Sequence, residues 1–368
     1  MIIQFVNLRR QNIKLKKQLM PIIQQVIEDA DFNMGSRLEQ FETDFAKSVG
    51  KKYAIGVNSG TDALLLSLMA YGVGRGDEVI LPPNGYFSTA MVISNLGAKP
   101  KFVDIDSDYY TIDPKKIEKA ISNKTKVIIP VHLFGQPVDM DPILKIARKH
   151  RLVVIEDACQ AHGASYKNKR IPVGETGAFS FYPSKNLGAF GDGGIVVTDN
   201  KKVAENILYL RNDGSFKKYI HPMFGIKSRL DTLQAAILSV KLSYLEAWNE
   251  LRINHARKYS ELLERIPEIK TPKIMKNANH VFHLYVIESN HRDKLQKYLK
   301  HKGIETLIHY PIPIHLQPPY KKEGYRVGDY PITEKKSKKI LSLPIFPEMT
   351  EEEIRYVADS VKKFYSNS

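Results

Sequence analysis

One lysine stands out in this 368-residue chain because of the residues around it. Lys185 lies in the segment FSFYPSKNLGAFGDGG, where a short aromatic strand leads into a glycine-rich loop. An apolar wall lowers the pKa of an ammonium group because burial disfavours the charged form, and the free amine then attacks carbonyl groups. Lys185 is therefore a candidate for forming an imine with an aldehyde. The alternative is an ordinary exposed lysine after a strand.

Two further features match the needs of a pyridine-aldehyde cofactor that acts as an electron sink. Asp157 follows the apolar run RLVVI, where its carboxylate could hold a protonated ring nitrogen or, alternatively, cap a helix. Gly60 and Thr61 lie in SGTDAL, a turn of small residues that opens a helix, and the amides of a helix N-terminus bind phosphate. The lysine, the carboxylate and the phosphate site together predict a site for such a cofactor.

These segments resemble the sugar aminotransferases of the DegT/DnrJ/EryC1/StrS family, which are fold-type I pyridoxal-phosphate enzymes. The resemblance extends over nearly the whole chain, through FNMGSRLEQFETDFA, SGTDALLLSL, PVHLFGQPVDMDPI, EDACQAHGA, FYPSKNLGAFGDGG, SRLDTLQAAIL and LSLPIFPEMT. It implies pyridoxal 5'-phosphate as the cofactor, bound through Lys185 with Asp157 at the ring nitrogen. It also implies L-glutamate as the amino donor, 2-oxoglutarate as its product, and a homodimer with active sites at the subunit interface.

The resemblance also assigns a role to Ser180. This residue alternates with Phe179 and Phe181, so the sequence predicts a hydroxyl on one face of a strand and aromatic rings on the other. By resemblance, Ser180 binds the cofactor phosphate together with the backbone amides of Gly60 and Thr61. The alternative is a core serine whose hydroxyl is satisfied within the protein.

Three more cofactor contacts follow from the resemblance. Gln160 would hydrogen-bond the phenolic oxygen of the cofactor, and Tyr86 would stack on its ring, in preference to the neighbouring Phe87. Arg229 would reach the phosphate bound by the other subunit. The alternative for Arg229 is a surface arginine at the start of a helix.

The loop LIHYPIPIHLQPPY resembles the branch of the family that aminates the C-3 keto group of nucleotide-linked 6-deoxyhexoses. The expected substrate is a dTDP-linked 3-keto-6-deoxyhexose, and the product a 3-amino-3,6-dideoxyhexose for a lipopolysaccharide, an S-layer glycan or a secondary metabolite. On this loop, His315 is the predicted sugar contact, whereas the roles of His309 and Tyr310 stay open. The alternatives are a C-4 aminotransferase for a UDP- or dTDP-4-keto sugar, and a non-catalytic regulatory protein that keeps the fold.

Composition excludes several other classes of protein. The single Cys159 excludes an internal disulfide, no apolar run is long enough for a membrane span, and the N-terminus lacks an export signal, so a cytoplasmic protein is expected. The net charge of +15 is spread along the chain, which favours a solvated basic surface over nucleic-acid binding. The histidines lack metal-ligand spacing, and we predict no metal site.

The pattern of apolar runs predicts an α/β protein with two domains. Runs such as KVIIPV and RLVVIE lack polar alternation, which is typical of strands buried on both faces of a mainly parallel sheet. By resemblance this is the fold-type I architecture. We predict a three-layer α/β large domain over residues 1–240, with an N-terminal helix that could instead pack on the small domain. Residues 241–368 form the predicted small α+β domain.

Overall fold

The computed structural model describes residues 1–215 and 217–366. The helices are α1 Leu8–Glu28, α2 Ser36–Ser48, α3 Gly60–Ala70, α4 Ser88–Asn95, α5 Pro114–Ala120, α6 Met140–His150, α7 Lys201–Leu210, α8 Thr232–Leu242, α9 Leu245–Leu263, α10 Arg292–His301, α11 Pro318–Lys322, α12 Pro331–Ser337 and α13 Glu351–Ser366. The strands are β1 Tyr53–Val57, β2 Glu78–Leu81, β3 Lys99–Phe102, β4 Thr125–Ile128, β5 Val153–Asp157, β6 Ser165–Tyr166, β7 Lys169–Arg170, β8 Thr176–Ser180, β9 Gly194–Thr198, β10 Ile269–Lys270, β11 Ala278–Asn279, β12 Tyr285–Ser289 and β13 Ile340–Leu343.

A seven-stranded sheet forms the centre of the molecule, with the strand order β1-β9-β8-β5-β4-β2-β3. The strands from β8 to β3 run parallel to one another, and only β9 is antiparallel to its neighbours β1 and β8. The apolar runs around β4 and β5 lie inside this sheet and are largely buried. The predicted α/β fold with a mainly parallel sheet is therefore confirmed.

Helices cover both faces of this sheet and give it three layers. On one face, Phe41 and Phe45 of α2 pack edge-on against Phe179 and Phe181, with α6 and α8 contributing to the same core. On the other face, α3, α4 and α7 bury a second apolar cluster. Each fully buried aromatic or large aliphatic side chain contributes about 1.5–3 kcal/mol relative to exposure, so this packing fixes the order of the layers.

A second sheet, with the order β10-β12-β13, packs against α9, α10 and α13 in the C-terminal part of the chain. The helical pattern that follows residue 228 divides here into α8 and α9, which are separated at Ser243 and Tyr244. Residues 314–334 return to the large sheet, where Ile314 and Tyr320 join the apolar cluster of Phe102. The division of the chain at residue 240 stays a prediction.

The N-terminal helix contacts elements of both predicted domains. Leu15 and Leu19 of α1 pack against Ile237 of α8 and Trp248 of α9. Arg10 of the same helix forms a 2.6 Å ion pair with Glu353 of α13. The helix therefore contacts both parts of the chain, and its assignment to one domain stays a prediction.

Candidate active site

A cavity of about 450 Å³ lies at the carboxyl ends of β5 and β8, where α3 begins. Because β5 and β8 are parallel neighbours, their carboxyl ends meet at one edge of the sheet, a common place for ligand sites in open α/β sheets. The cavity is lined by Ser59, Gly60, Thr61, Leu64, Tyr86, Ser88, Thr89, Val131, Asp157, Cys159, Gln160, Ser180, Tyr182, Ser184, Lys185, Asp192, His283, His309 and Tyr310. It thus contains every predicted site residue except Arg229 and His315.

Lys185 lies in the cavity wall on a turn in which its backbone N–H donates to the carbonyl of Tyr182 at 2.9 Å. Burial lowers the pKa of the Lys185 ammonium, although the nearby Cys159 and Asp157 act in the opposite direction. A larger fraction of the amine is therefore unprotonated than for an exposed lysine. This is the state that reacts with an aldehyde.

Asp157 ends β5, and its carboxylate is held from two directions. Its Oδ2 accepts a 2.9 Å hydrogen bond from Thr89 Oγ1, and its Oδ1 accepts one of 3.2 Å from the backbone N–H of Cys159. The side chain is buried, with 6% of the residue exposed. The helix-capping alternative is wrong, because the next α-helix after β5 begins only at Lys201. The carboxylate caps no helix and lines the cavity, where it can face a ligand.

Helix α3 begins at the cavity with two amides that no capping side chain uses. Ser59 Oγ accepts from the backbone N–H of Asp62 at 3.1 Å, which leaves the N–H groups of Gly60 and Thr61 facing outward. A Cβ at Gly60 would lie 2.6 Å from Ser180 Cβ, so only glycine allows the helix to come this close to β8. A helix N-terminus and the Ser180 hydroxyl thus lie together in the cavity wall, an arrangement that suits an anion, and their binding of a phosphate stays a prediction.

The alternation predicted around Ser180 is present in β8. Phe179 and Phe181 are fully buried in the aromatic core on one side of the sheet. Ser180 points to the other side and lines the cavity. The placement of the hydroxyl is therefore confirmed, whereas its role toward a phosphate stays a prediction.

Gln160 and two tyrosines form another part of the cavity wall. Gln160 Oε1 accepts from the backbone N–H of Phe134 at 2.7 Å, so its amide nitrogen is directed inward and lies 3.3 Å from Tyr310 Oη. The rings of Tyr86 and Tyr310 have their centroids 6.0 Å apart. Tyr86 is 60% exposed and lines the cavity, whereas Phe87 packs on Tyr320. Of the two aromatic candidates, only Tyr86 can reach a ligand here.

Thr89 and His283 also line the cavity, although the sequence did not predict them, and so does His309, whose role the sequence left open. His309 Nδ1 lies 2.8 Å from Ser342 Oγ, and burial together with the charge of Lys185 lowers the pKa of His309 to about 4. The same two causes hold the pKa of His283 well below its ordinary value. Both histidines are therefore neutral near pH 7. His283 gave no signal because it lies in an apolar run typical of a core strand.

The structure places His315 away from the cavity, contrary to the prediction. Its side chain is fully buried outside the cavity, where its Nε2 lies 3.1 Å from Glu334 Oε1 and its ring packs edge-on against Tyr330. The short 3-10 helix that carries His315 begins at Ile314, whose N–H donates to the Pro83 carbonyl at 2.9 Å and anchors the loop in the core. We therefore withdraw the predicted contact between His315 and the sugar.

Arg229 also lies outside the cavity of its own chain. Its guanidinium is 3.5 Å from Asn212 Oδ1, and the side chain is partly exposed just before α8. Its predicted contact with the phosphate of a second subunit stays a prediction. Among the described residues there is no group of three or more His, Cys, Asp or Glu side chains that could hold a metal ion. No helix in residues 1–215 and 217–366 is long and apolar enough to cross a membrane.

Comparison with known proteins decides the family. The model of the DegT/DnrJ/EryC1/StrS aminotransferase family matches residues 14–362. The chain belongs to this aminotransferase family. It is similar to a crystal structure of DesV from Streptomyces venezuelae in complex with a ketimine intermediate, with a TM-score of 0.97, 41% identity, and coverage of 99% of this chain and 98% of that one.

Two curated relatives are similar over almost their full length. A protein of Geobacillus stearothermophilus named pleiotropic regulatory protein is 45% identical, with 99% of this chain and 98% of the relative covered. The dTDP-3-amino-3,6-dideoxy-alpha-D-galactopyranose transaminase of Aneurinibacillus thermoaerophilus is 44% identical, with 98% and 99% covered. One of these two relatives of the chain is thus named for regulation and the other for sugar transamination.

Proposed function

We propose that this protein is a pyridoxal-phosphate-dependent transaminase that moves the amino group of L-glutamate to the C-3 keto group of a nucleotide-linked 6-deoxyhexose, with dTDP as the nucleotide. The product is a 3-amino-3,6-dideoxyhexose for a surface glycan or a secondary metabolite. The single observation that carries the proposal is the cavity that brings Lys185, Asp157 and the N-terminus of α3 together. We place the reaction in the cytoplasm, in keeping with the single Cys159.

The residues of the cavity fit the three ends of this cofactor. Lys185 offers an amine with a lowered pKa for the aldehyde carbon. Asp157, held by Thr89, offers a fixed carboxylate for the ring nitrogen. Because Gly60 has no Cβ, the start of α3 packs directly against Ser180, where a Cβ would clash. The backbone N–H groups of the helix can therefore approach a phosphate closely. When bound, the cofactor supplies an electron sink for the carbon that loses a proton.

Lys185 would also act as the general base and general acid of the reaction. Its amine would accept a proton from Cα of the amino donor and return it to the former aldehyde carbon of the cofactor, which requires a base that is not permanently protonated. The lowered pKa of Lys185 meets this requirement. The carboxylate of Asp157 would hold the proton on the ring nitrogen. Gln160 donates from its amide nitrogen toward the phenolic oxygen, since its Oε1 is already bonded to Phe134.

The substrate class and the assembly rest on the relatives and on the loop near residue 310. The Aneurinibacillus relative, 44% identical, is named for a dTDP-linked 3-amino sugar, which supports C-3 and dTDP. His309 and Tyr310 line the cavity and are the sugar-facing candidates of that loop. A homodimer is part of the proposal. Tyr219, Ile220 and Phe224 are 83%, 54% and 99% exposed, which is unusual for apolar residues of a monomer.

Two other functions compete with this proposal. Amination at C-4 of a UDP- or dTDP-4-keto sugar would use the same cavity residues. A non-catalytic regulatory protein is favoured by the name of the Geobacillus relative, which is 45% identical. Against regulation alone stands the retention of Lys185, Asp157 and Gln160 in one cavity, because a cofactor-binding protein without turnover has no need of a lysine poised as a base.

A substrate panel tests the proposal directly. The purified protein is incubated with pyridoxal phosphate, L-glutamate, and 3-keto or 4-keto sugars linked to dTDP or UDP, and the products are identified by mass spectrometry. We expect a 3-amino sugar and one equivalent of 2-oxoglutarate from the dTDP-3-keto substrate, and no product with Lys185→Ala. Amination of 4-keto sugars alone would establish the C-4 alternative. Cofactor binding without turnover of any sugar would favour the regulatory alternative.

A further inference from the structure

A buried lysine that the proposed reaction does not use lies beneath the loop of Lys185. Lys241 of α8 is 1% exposed, and its Nζ donates to the carbonyl oxygen of Gly188 at 2.6 Å. The same ammonium lies 4.7 Å from the centroid of the Phe190 ring, which is within range of a cation–π contact. Both acceptors belong to the loop that follows Lys185.

The peptide group between Gly188 and Ala189 is thereby held on both sides. Its carbonyl accepts from Lys241, and its N–H donates to the carbonyl of Phe181 at 2.8 Å. Phe181 directly follows Ser180, which lines the cavity. A Cβ at Gly188 would lie 2.2 Å from the Pro183 carbonyl oxygen, so the loop is folded tightly onto itself. Through its N–H, the peptide group ties Ala189, after the turn that carries Lys185, to Phe181, before it.

A second side chain of α8 holds the same loop. Gln234 Oε1 accepts from the backbone N–H of Phe190 at 2.8 Å. Residues 234 and 241 are seven positions apart, which places them on one face of a helix. Two successive turns of α8 therefore contact the backbone of residues 188–190, with Gln234 as the acceptor and Lys241 as the donor. The contact is made by a face of the helix and not by one isolated residue.

The burial of the Lys241 ammonium is energetically unfavourable, which indicates a role for this side chain beyond packing. Taking an ammonium out of water is strongly unfavourable unless the charge is well paired. Burial lowers the pKa of Lys241 to about 8, and only the charge of Glu348 acts in the opposite direction. No ion pair joins Lys241 to a carboxylate within the described chain. By contrast, Lys51, whose side chain is 7% exposed, bonds both to the Gly174 carbonyl at 2.5 Å and to Asp199 at 3.0 Å.

We propose that Lys241 is a positioning residue for Lys185: by holding the Gly188–Ala189 peptide group against the end of β8, it keeps the amine of Lys185 aimed into the cavity beside the start of α3. The inference rests on the proposed function, since it takes Lys185 to be the lysine that binds the aldehyde. Lys241 itself touches neither cofactor nor substrate. Its effect reaches Lys185 through three residues of backbone.

Hydrogen exchange of the full chain without added cofactor tests the proposal at the peptide group itself. Lys241→Met keeps the length of the side chain and removes its donor. Lys51→Met is the control, because it removes another lysine-to-carbonyl bond, together with the ion pair to Asp199, away from this loop. We expect the amide of Ala189 to exchange about tenfold faster or more in Lys241→Met than in Lys51→Met. If Lys241→Met does not fold, Lys241→Gln, which keeps a polar group with a shorter reach, replaces it.

A second measurement follows Lys185 directly. Pyridoxal phosphate is added, the adduct is reduced with borohydride at timed intervals, and the labelled Lys185 peptide is quantified. We expect labelling to slow about tenfold in Lys241→Met and to be unchanged in Lys51→Met. Equal exchange at Ala189 in both variants, or unchanged labelling of Lys185, would overturn the proposal. A wild-type protein that labels at Lys185 but aminates no sugar would instead count against the proposed function alone.

Discussion

Thr89 Oγ1 donates a 2.9 Å hydrogen bond to Asp157 Oδ2, which links the first turn of α4 to the carboxyl end of β5. Both groups are buried, at 2% and 6% exposure. Hydrogen bonds to charged acceptors are stronger than neutral ones and have a stricter geometry. The bond therefore sets the direction in which the second oxygen of Asp157 faces the cavity.

Replacing Thr89 by valine removes this donor while the shape of the side chain is kept. We expect the affinity for pyridoxal phosphate, measured by fluorescence titration, to fall about tenfold, because a bond to a charged group contributes about 1.5–3 kcal/mol and water replaces part of it. Thr89→Ser should restore most of the affinity. An unchanged affinity in Thr89→Val would show that Asp157 is held well enough by Cys159.

Asp157→Asn keeps a side-chain oxygen for the N–H of Cys159 and removes the charge. The free energy of unfolding, measured in urea, should therefore stay close to that of the wild type. Turnover should fall by at least about a hundredfold, because a neutral amide does not keep the ring nitrogen protonated. Near-normal turnover combined with lower stability would assign Asp157 a purely structural role.

His315→Ala should affect stability and leave catalysis intact. It removes a buried ring packed on Tyr330 and leaves the carboxylate of Glu334 without this contact, so the free energy of unfolding should fall by about 2–3 kcal/mol. We expect kcat/KM for the keto sugar to stay within about twofold of the wild-type value. A raised KM with normal stability would return His315 to the sugar site.

The buried His162 makes stability depend on pH. Burial, assisted by the charge of Lys185, lowers the pKa of His162 to about 3 in the folded protein, below the ordinary value of 6.5. Between these values the unfolded chain binds a proton that the folded chain does not, so stability is lost as the pH falls below about 6.5. This one group accounts for a loss on the order of 4 kcal/mol by pH 3.

Urea unfolding between pH 7 and pH 4.5 measures this effect. His162→Leu should lower the slope of unfolding free energy against pH by up to about 1.4 kcal/mol per pH unit, the effect of one proton. The exposed His301→Leu is the control and should leave the slope unchanged. Equal slopes in His162→Leu and the wild type would mean that His162 is protonated in the folded protein.

The sequence alone determined the chemistry of the site to a large extent. Lys185 and the glycine-containing start of α3 each follow a β-strand, and Asp157 ends one. Parallel strands bring their carboxyl ends to one edge whatever the details of packing. The alternation of Phe179, Ser180 and Phe181 likewise fixed which side chain faces the cavity, because the period of a strand is two. Local pattern and topology were sufficient for these residues.

The tertiary structure decided what depends on contacts between distant segments. His315 looked like a loop residue free to meet a sugar, but Glu334 and Tyr330 hold its ring in the core. His283 looked like part of an apolar strand, yet it lines the cavity. No motif distinguishes Lys241 from the other lysines of the sequence, and only the packing of α8 beneath residues 188–190 brings its ammonium to a backbone carbonyl. Burial of a polar group is a property of the whole fold, because the groups that desolvate and satisfy it come from remote parts of the chain.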